Sequence, residues 1–530
     1  MTANVTLSHM DGDGEDATGR TRWGPASRAK PLPDSAAKLL AQVLELTPPP
    51  PAVPPADGTA DTREHDDDTV LNALRAAIGA DHVRTSRPIR ARHAAGMSTP
   101  DLLRRRSGEL RRIPQAVVRP ATTAEVVSVL DICSRFQVAV VPFGGGTSVV
   151  GGLTPPAVPH VTLDLGRLNG LVAVDAISRT ATLQAGLPAP RAAELLAEHG
   201  FTLGHVPQSY EYATIGGFAA TRSSGQASTG YGRFDDMVTA LTVATPRGAI
   251  QVGRAPASAA GPDLRQLFLG SEGTLGVITD VTVRVRPMPT QTHYEGWRFD
   301  SFTDGLHAVR KLAQDGPRAT VLRLSDEVET MIGATGSGRS DGGCLLVIGW
   351  EGEHVHVVAE TAAAVLSAHG GRPLGVEPGR QWEQHRFDAP YLRDALLDAG
   401  AFAETVETAA YWSRLPEVHE RVRAAILDAL PHGALVLAHV SHVYETGASL
   451  YFTVICSPGP DPIDRWHTAK AAASDAIAAA GGTITHHHGV GTDHRDWYAA
   501  EIGDLAVDLL RAVKHHLDPA GILNPGILVP

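Results

Sequence analysis

The tightest constraint on this chain is a short apolar run that empties directly into glycines. Residues 138–141 (Val-Ala-Val-Val) lead into Pro142-Phe143-Gly144-Gly145-Gly146-Thr147-Ser148 and on to Gly151-Gly152, five glycines within nine residues. Without a Cβ the backbone can take positive φ and approach a ligand closely, so successive N–H groups can converge on an anion. Thr147 and Ser148 add hydroxyl donors. A glycine-rich turn with no ligand fits the same residues. The loop is not a Walker loop, since no Gly-Lys-Ser/Thr follows, and it lacks the Gly-x-Gly-x-x-Gly spacing that opens a dinucleotide-binding helix.

Two further small-residue loops shift the balance. Gln208-Ser209-Tyr210-Glu211-Tyr212-Ala213-Thr214 runs on through Gly216-Gly217 to Thr221-Arg222-Ser223-Ser224. Glu272-Gly273-Thr274-Leu275-Gly276-Val277-Ile278 opens a β-rich run. Any one of the three could be a structural turn. Together they point to one extended ligand with a pyrophosphate and a flat ring system.

At 530 residues the chain exceeds one small core, and 43% hydrophobic with 20% charged residues is ordinary for a soluble protein. No apolar run approaches the roughly 18 residues that cross a bilayer, and residues 1–30 lack a signal-peptide core, so a cytoplasmic location is expected. A net charge of -12 argues against generic nucleic-acid binding. It leaves local membrane-surface contact open. Cys133, Cys344 and Cys456, odd in number and far apart, suit a reducing compartment.

Residues 1–19 are polar and 48–55 are proline-rich. Between them Leu39, Leu40, Val43 and Leu44 recur at helical spacing, which predicts a short docked helix over 35–46. Thr122 or Thr123 can cap a helix carrying Val126, Val127, Leu130 and Cys133. Strands are expected at 161–165, 180–185, 237–245 and 276–285, with a helix at 189–199. After Pro287 the pattern reads as a second unit, with helices at 304–314, 355–369 and 464–480 and strands at 319–324, 345–350, 433–440 and 449–455. Alternating short strands and helices indicate a layered α/β or α+β fold.

The most unusual local sequence is Thr485-His486-His487-His488-Gly489. In an extended segment His486 and His488 share one face and His487 the other. Three imidazoles can ligate zinc, trade protons, or end a polar strand. His160, His205 and the His515-His516 pair show no such grouping and are expected in core or solvated roles. The tail 517–526, ending Asn524-Pro525-Gly526, reads as a turn without chemistry.

In order and spacing the three loops resemble the FAD domain of the vanillyl-alcohol-oxidase/PCMH flavoproteins. Within that superfamily the chain is similar to the alkylglycerone-phosphate synthases, from Trp23-Gly24-Pro25 to the C-terminus. The resemblance implies an α+β fold: a PCMH-type FAD-binding domain of two α/β subdomains, plus an α+β cap domain with an antiparallel sheet. The implied divisions are an N-terminal tail and helix (1–65), the FAD domain (66–289), the cap or substrate domain (290–484), and a segment returning to the FAD domain (485–530). FAD contact is implied for 142–148, 208–214, 221–224 and 272–278. Because the first loop has Thr147 and no histidine, the FAD is expected to be non-covalent.

The synthases carry a matching His-His-His at the active site, so the resemblance assigns proton chemistry to His486, His487 and His488, and no metal. In the related FAD-dependent D-lactate and D-2-hydroxyacid dehydrogenases the segment reads Gly-Glu-His-Gly-Ile-Gly, with glutamate where this chain has His487. Tyr451 matches an active-site tyrosine, Arg393 the arginine holding the substrate phosphate, and Arg323 and Thr214 two further positions important for activity. Taken singly these read as a strand-core aromatic, a helix-surface charge and an ion-pair member. The implied reaction exchanges the acyl chain of acyl-dihydroxyacetone phosphate for a fatty alcohol. The rival is an FAD-linked oxidase or dehydrogenase of a 2-hydroxy acid or other alcohol. A small-molecule or lipid substrate, a homodimer and peripheral membrane contact are implied with it; nucleic acid is not. General acid–base work asks for groups titrating near neutrality, which histidine is expected to supply without much tuning.

Overall fold

The computed structural model describes residues 20–32, 34–44, 46, 68–110, 112–334, 342–430 and 433–529. The polar stretch 1–19 and the proline run 48–55 lie outside these.

The strand that feeds the glycine loop, Ala139–Phe143, ends a four-stranded sheet. It pairs parallel with His160–Asp164, which pairs parallel with Val117–Val118, and Val83–Arg84 closes the sheet antiparallel. Strands covered on both faces read as unbroken apolar runs, which is why 138–141 does not alternate. The crossover is helix Thr123–Phe136. The Thr122 hydroxyl accepts from the Glu125 N–H at 3.1 Å, fixing the helix start, while Val126, Val129, Leu130 and Cys133 turn inward.

A second sheet is antiparallel throughout, in the order Leu171–Asp175, Thr180–Gln184, Val277–Arg284, Val238–Thr245, Gly248–Val252. One core joins both sheets through residues such as Leu130, Val140, Leu163, Leu183, Val243 and Val281. The chain returns to it at the end: Val140 N–H donates to the Ile522 carbonyl at 2.8 Å and Leu523 bridges Val140.

The third sheet has seven antiparallel strands, ordered Arg372–Gly375, Gln291–Phe299, Cys344–Gly352, Val321–Ser325, Ala434–Val443, Gly447–Cys456, Phe402–Tyr411. Side chains of a strand alternate between faces. Leu450, Phe452, Val454 and Cys456 therefore enter a second core with helices Phe302–Asp315, Leu415–Ala429 and Pro462–Ala480. Tyr451, Thr453 and Ile455 point the other way and line a cavity.

The fold is α+β. Helices Glu377–His385, Ala389–Asp398, Leu415–Ala429, Arg495–Ile502 and Asp504–Leu517 and strand Phe402–Tyr411 stand where the sequence reading named none. The strand escaped because Glu404 and Glu407 break its apolar alternation, yet both are buried. The docked N-terminal helix spans Asp34–Leu44, with Leu40 and Leu44 buried and Val43 outward. Cys133, Cys344 and Cys456 are free and buried. Among the described residues no helix is long and apolar enough to cross a membrane.

Candidate active site

The three loops interlock by close backbone approach. A Cβ at Gly145 would stand 1.8 Å from the Tyr212 carbonyl oxygen, so only glycine lets the first loop meet the second. Gly273, at φ +75°, would drive a Cβ to 2.7 Å from Pro142 Cγ, which seats the third loop on the first. Thr214 caps helix Ile215–Thr221, its hydroxyl accepting from Gly217 N–H at 3.3 Å. The loops form one wall of a cavity of about 490 Å³ whose far wall is the seven-stranded sheet.

Register sets that far wall in rows. Tyr451 lies between His439 and Glu407, Thr453 between Leu437 and Thr405, and Ile455 between Leu435 and Ala403. A register shift between Val440 and Val443 lets both Ser441 and His442 reach the cavity. His442 Nδ1 lies 2.7 Å from Ser228 Oγ and 3.0 Å from Ser224 Oγ. The Tyr451 ring stacks on His439 with centroids 5.1 Å apart, faces His487 at 6.1 Å, and meets His488 edge-on at 5.6 Å. Burial pushes its phenol up to about 12, so Tyr451 is a proton-bearing donor at neutral pH. Arg323 donates to Glu329 Oε1 at 2.6 Å and to His439 Nδ1 at 3.1 Å. Arg393, on helix Ala389–Asp398, gives one N–H to the Met97 carbonyl; its Nε and Nη2 are buried with no hydrogen-bond partner among the described residues.

The histidine triplet is held from below by a carboxylate the sequence reading did not single out. Glu407, fully buried in side chain, accepts the backbone N–H of His486 (2.8 Å), His487 (3.2 Å) and His488 (3.0 Å), and the Thr485 hydroxyl (2.5 Å). Burial works to raise its pKa, but the imidazoles, His487 first, hold it well below the usual carboxylate value. His486 Nε2 meets Tyr444 OH at 2.6 Å and its Nδ1 lies 3.0 Å from His487 Nδ1. The expectation of untuned histidines fails here. Burial lowers His486 well below the ordinary value and His488 to about 3, because an imidazolium loses its hydration there, so both rings are neutral at pH 7. His442, His486 and His487 each bring a ring nitrogen within 4.8 Å of the others, a spacing that can also hold a metal ion.

Of the sequence-derived residues, Pro142, Phe143, Gly144, Gly145, Gly146, Thr147, Ser148, Gln208, Ser209, Ala213, Thr214, Thr221, Ser223, Ser224, Glu272, Gly273, Gly276, Val277, Ile278, Arg323, Arg393, Tyr451, His487 and His488 line the cavity. Seven do not. Tyr210 stacks on Phe387, and Glu211 accepts from Trp23 Nε1, Tyr391 OH and Arg28. Tyr212 meets the Trp23 ring edge-on. Arg222 pairs with Asp235, Thr274 donates to the Ser271 carbonyl, Leu275 is core, and His486 lies behind His487. These six loop residues brace the loops. His160 and His205 are buried and His515 and His516 exposed, in line with ordinary roles. Residues to which the sequence reading gave no role also line the cavity, among them Trp23, Glu329, Glu404, His439, His442 and Asn524. Asn524 donates to the Glu272 carbonyl at 2.8 Å, and its buried Oδ1 has no hydrogen-bond partner among the described residues. A residue between leucine and proline in a turn carried no signal of this.

Residues 114–253 match a family model described as FAD binding domain, and 288–528 match FAD linked oxidases, C-terminal domain. The alkyldihydroxyacetonephosphate synthase of Trypanosoma brucei brucei is 30% identical over 495 residues, 87% of this chain and 80% of that protein. This chain belongs to the FAD-linked oxidase family that includes these synthases. The FAD-linked oxidoreductase YgcU of Escherichia coli (strain K12) is 30% identical over 484 residues, 87% of this chain and 98% of that protein. A solved alkyldihydroxyacetonephosphate synthase structure superposes with a TM-score of 0.80 at 28% identity, covering 93% of this chain and 92% of that one. The chain is an FAD-dependent enzyme with PCMH-type architecture, acting on small molecules. The cavity fits the cofactor by its own chemistry: glycine loops bring backbone to its wall, and the buried atoms Gln208 Oε1 and Asn524 Oδ1 have no hydrogen-bond partner among the described residues and can take polar groups.

Proposed function

We propose that this flavoenzyme exchanges the acyl chain of acyl-dihydroxyacetone phosphate for a fatty alcohol, releasing a fatty acid and leaving an ether bond. One observation carries the reading: Arg393, with two buried guanidinium nitrogens that have no hydrogen-bond partner among the described residues, shares a cavity with the proton-bearing Tyr451, His487 and His488. An arginine fork matches a phosphate by charge and by shape. Tyr451 moves a proton at the carbon that changes substituent, with none gained or lost over the whole turnover. The His486–His488 group takes the alcohol proton and serves the departing carboxylate, with Glu407 offsetting charge that develops on the rings. The bound flavin supplies a ring able to take up and return an electron pair within one turnover, so the exchange is redox-neutral. Arg323 holds Glu329 and His439 beside Tyr451 as positioning residues.

The FAD is proposed to be non-covalent, and acid precipitation then leaves all yellow colour in the supernatant. The divisions 1–65, 66–289, 290–484 and 485–530, a homodimer and peripheral membrane contact complete the proposal; sedimentation and vesicle flotation test the last two. The deciding experiment is anaerobic incubation with acyl-dihydroxyacetone phosphate and hexadecanol, following flavin absorbance and ether product together. Ether product without lasting bleaching is expected. Bleaching by a simple 2-hydroxy acid with no ether product would favour the dehydrogenase reading, in which Arg393 binds a carboxylate.

A further inference from the structure

His487 and His488 line the cavity, whereas His486 stands behind His487 with a polar partner at each ring nitrogen. Its Nδ1 lies 3.0 Å from His487 Nδ1 and its Nε2 lies 2.6 Å from the Tyr444 hydroxyl. An imidazole bonded at both nitrogens can take a proton at one and give up another at the other. Tyr444 is half-buried and lines a second pocket of about 10 Å³, roughly the room one water needs, with Thr229 and the exposed Arg318 and Glu445. One row of polar groups therefore runs from the cavity wall to a separate pocket with an exposed rim. The rings in it are held: His442 stacks on His486 with centroids 5.0 Å apart, and its own Nδ1 is fixed by Ser224 and Ser228 at 3.0 and 2.7 Å. Glu407 Oε2, 3.4 Å from His487 Nδ1, favours a proton arriving there. The positive charge of Arg233 bears on His486 and Tyr444 and disfavours a proton resting on them.

We infer that His486 and Tyr444 form an exit through which the proton released by the reaction leaves the closed cavity. The need for an exit rests on the proposed exchange. Ester plus alcohol gives ether plus carboxylate, and because a carboxylic acid is ionised at neutral pH, one proton is left over per turnover. At the start of a transfer His487 Nδ1–H donates to His486 Nδ1, and His486 Nε2–H donates to the Tyr444 oxygen. The alcohol O–H proton bonds to His487 Nε2, and the Nδ1 proton of His487 passes to His486 Nδ1. The Nε2 proton of His486 passes to the Tyr444 oxygen, and the Tyr444 hydroxyl proton passes to solvent water. One proton enters the row, one leaves it, and no electron moves. Neither His486 nor Tyr444 touches the substrate, so both act through His487.

The test is Tyr444→Phe in the flavin-loaded full chain, assayed with EDTA so that no metal competes for the histidines. Ether formation is expected to lose about 100-fold in kcat, while KM and flavin content hold. The solvent deuterium isotope effect on kcat is expected to rise, because proton departure becomes the slow step. In Tyr444→Ala, added imidazole is expected to restore rate in proportion to its concentration. A ring that only packs against its neighbours would show neither response. Either response with the loss supports the exit; a wild-type kcat in Tyr444→Phe, or a loss with neither response, overturns it. Should both variants lose flavin, 3-fluorotyrosine at position 444 keeps the shape and makes the phenol more acidic. A shifted kcat or isotope effect then supports the exit, and an unchanged pair overturns it. A 2-hydroxy acid would lose its hydroxyl proton by the same row. The same responses read on flavin bleaching, with no ether product, would refute the exchange and leave the exit standing. Ether formation untouched by Tyr444→Phe would do the reverse.

Discussion

Replacing Glu407 with glutamine tests how the histidine triplet is held. The glutamate accepts four donors, the amides of His486, His487 and His488 and the Thr485 hydroxyl, with no solvent contact. A glutamine of the same shape keeps one carbonyl oxygen and turns an NH2 toward the remaining donor. Oε1 takes three of the donors and Oε2 only the His486 amide, so a glutamine whose carbonyl replaces Oε1 loses one bond, about 1.5–3 kcal/mol for a bond to a charged group. The urea midpoint of Glu407→Gln should fall accordingly, and kcat should drop about 100-fold through misplaced rings and a lost counter-charge. KM for the phosphate-bearing substrate should hardly move, since Arg393 sits on another element. The pH profile fixes the sign. Glu407 has a folded pKa well below its ordinary value, so its stabilisation is present above about pH 4.3 and is lost as pH falls through the lower folded value. The wild type should therefore lose stability on acidification more steeply than Glu407→Gln. Thr485→Val, removing one donor, should fall between. An unchanged urea midpoint with normal kcat in Glu407→Gln would refute this account.

Other outcomes follow from the same geometry. Gly145→Ala forces a Cβ into the Tyr212 carbonyl and should abolish FAD retention, read as flavin absorbance per mole of protein. Tyr451→Phe should keep FAD but lose ether formation, because a buried phenol with a pKa near 12 is a proton donor that phenylalanine cannot replace. Arg393→Lys should raise KM for the phosphate substrate about 10- to 100-fold, the worth of one charged bond, while kcat falls less. Burial raises Glu272 to about 7 against the opposing amides of Val490 and Gly491. Its stabilising contribution is full below about pH 4.3 and lost as pH rises through 7, so thermal unfolding of wild type relative to Glu272→Gln should worsen between pH 5 and 8.

The parts of the site legible in sequence are those where one residue type is the only physical solution. Gly145 and Gly273 had to be glycine for the loops to touch, so the loops announced themselves. Arg393, Arg323 and Tyr451 carried no local signal, and only the resemblance marked them. Glu407 and Asn524 were missed for a different reason. Each is defined by a partner 79 or more residues away, Glu407 by the triplet's amides and Asn524 by the Glu272 carbonyl, and neighbouring letters hold no trace of that. The histidines were misjudged in tuning because desolvation depends on what packs over the rings, namely Tyr444, Tyr451 and His442.

The triplet's segment also shows how the two cores come to share one site. Residues 485–491 belong to neither sheet, yet both ends are fastened by buried carboxylates. Glu407, from the seven-stranded sheet, takes the amides of 486–488; Glu272, from the third loop of the flavin wall, takes those of Val490 and Gly491 at 2.6 and 2.9 Å. A short segment supplies backbone amides consecutively, so two acids whose targets are separated only by Gly489 fix its path without using the imidazoles. The imidazoles are left free to face the cavity. Loosening either acid should therefore shift the rings relative to the flavin wall, and the double variant Glu272→Gln/Glu407→Gln should cost less than the sum of the two single changes, since one segment released at either end is already mobile at the other.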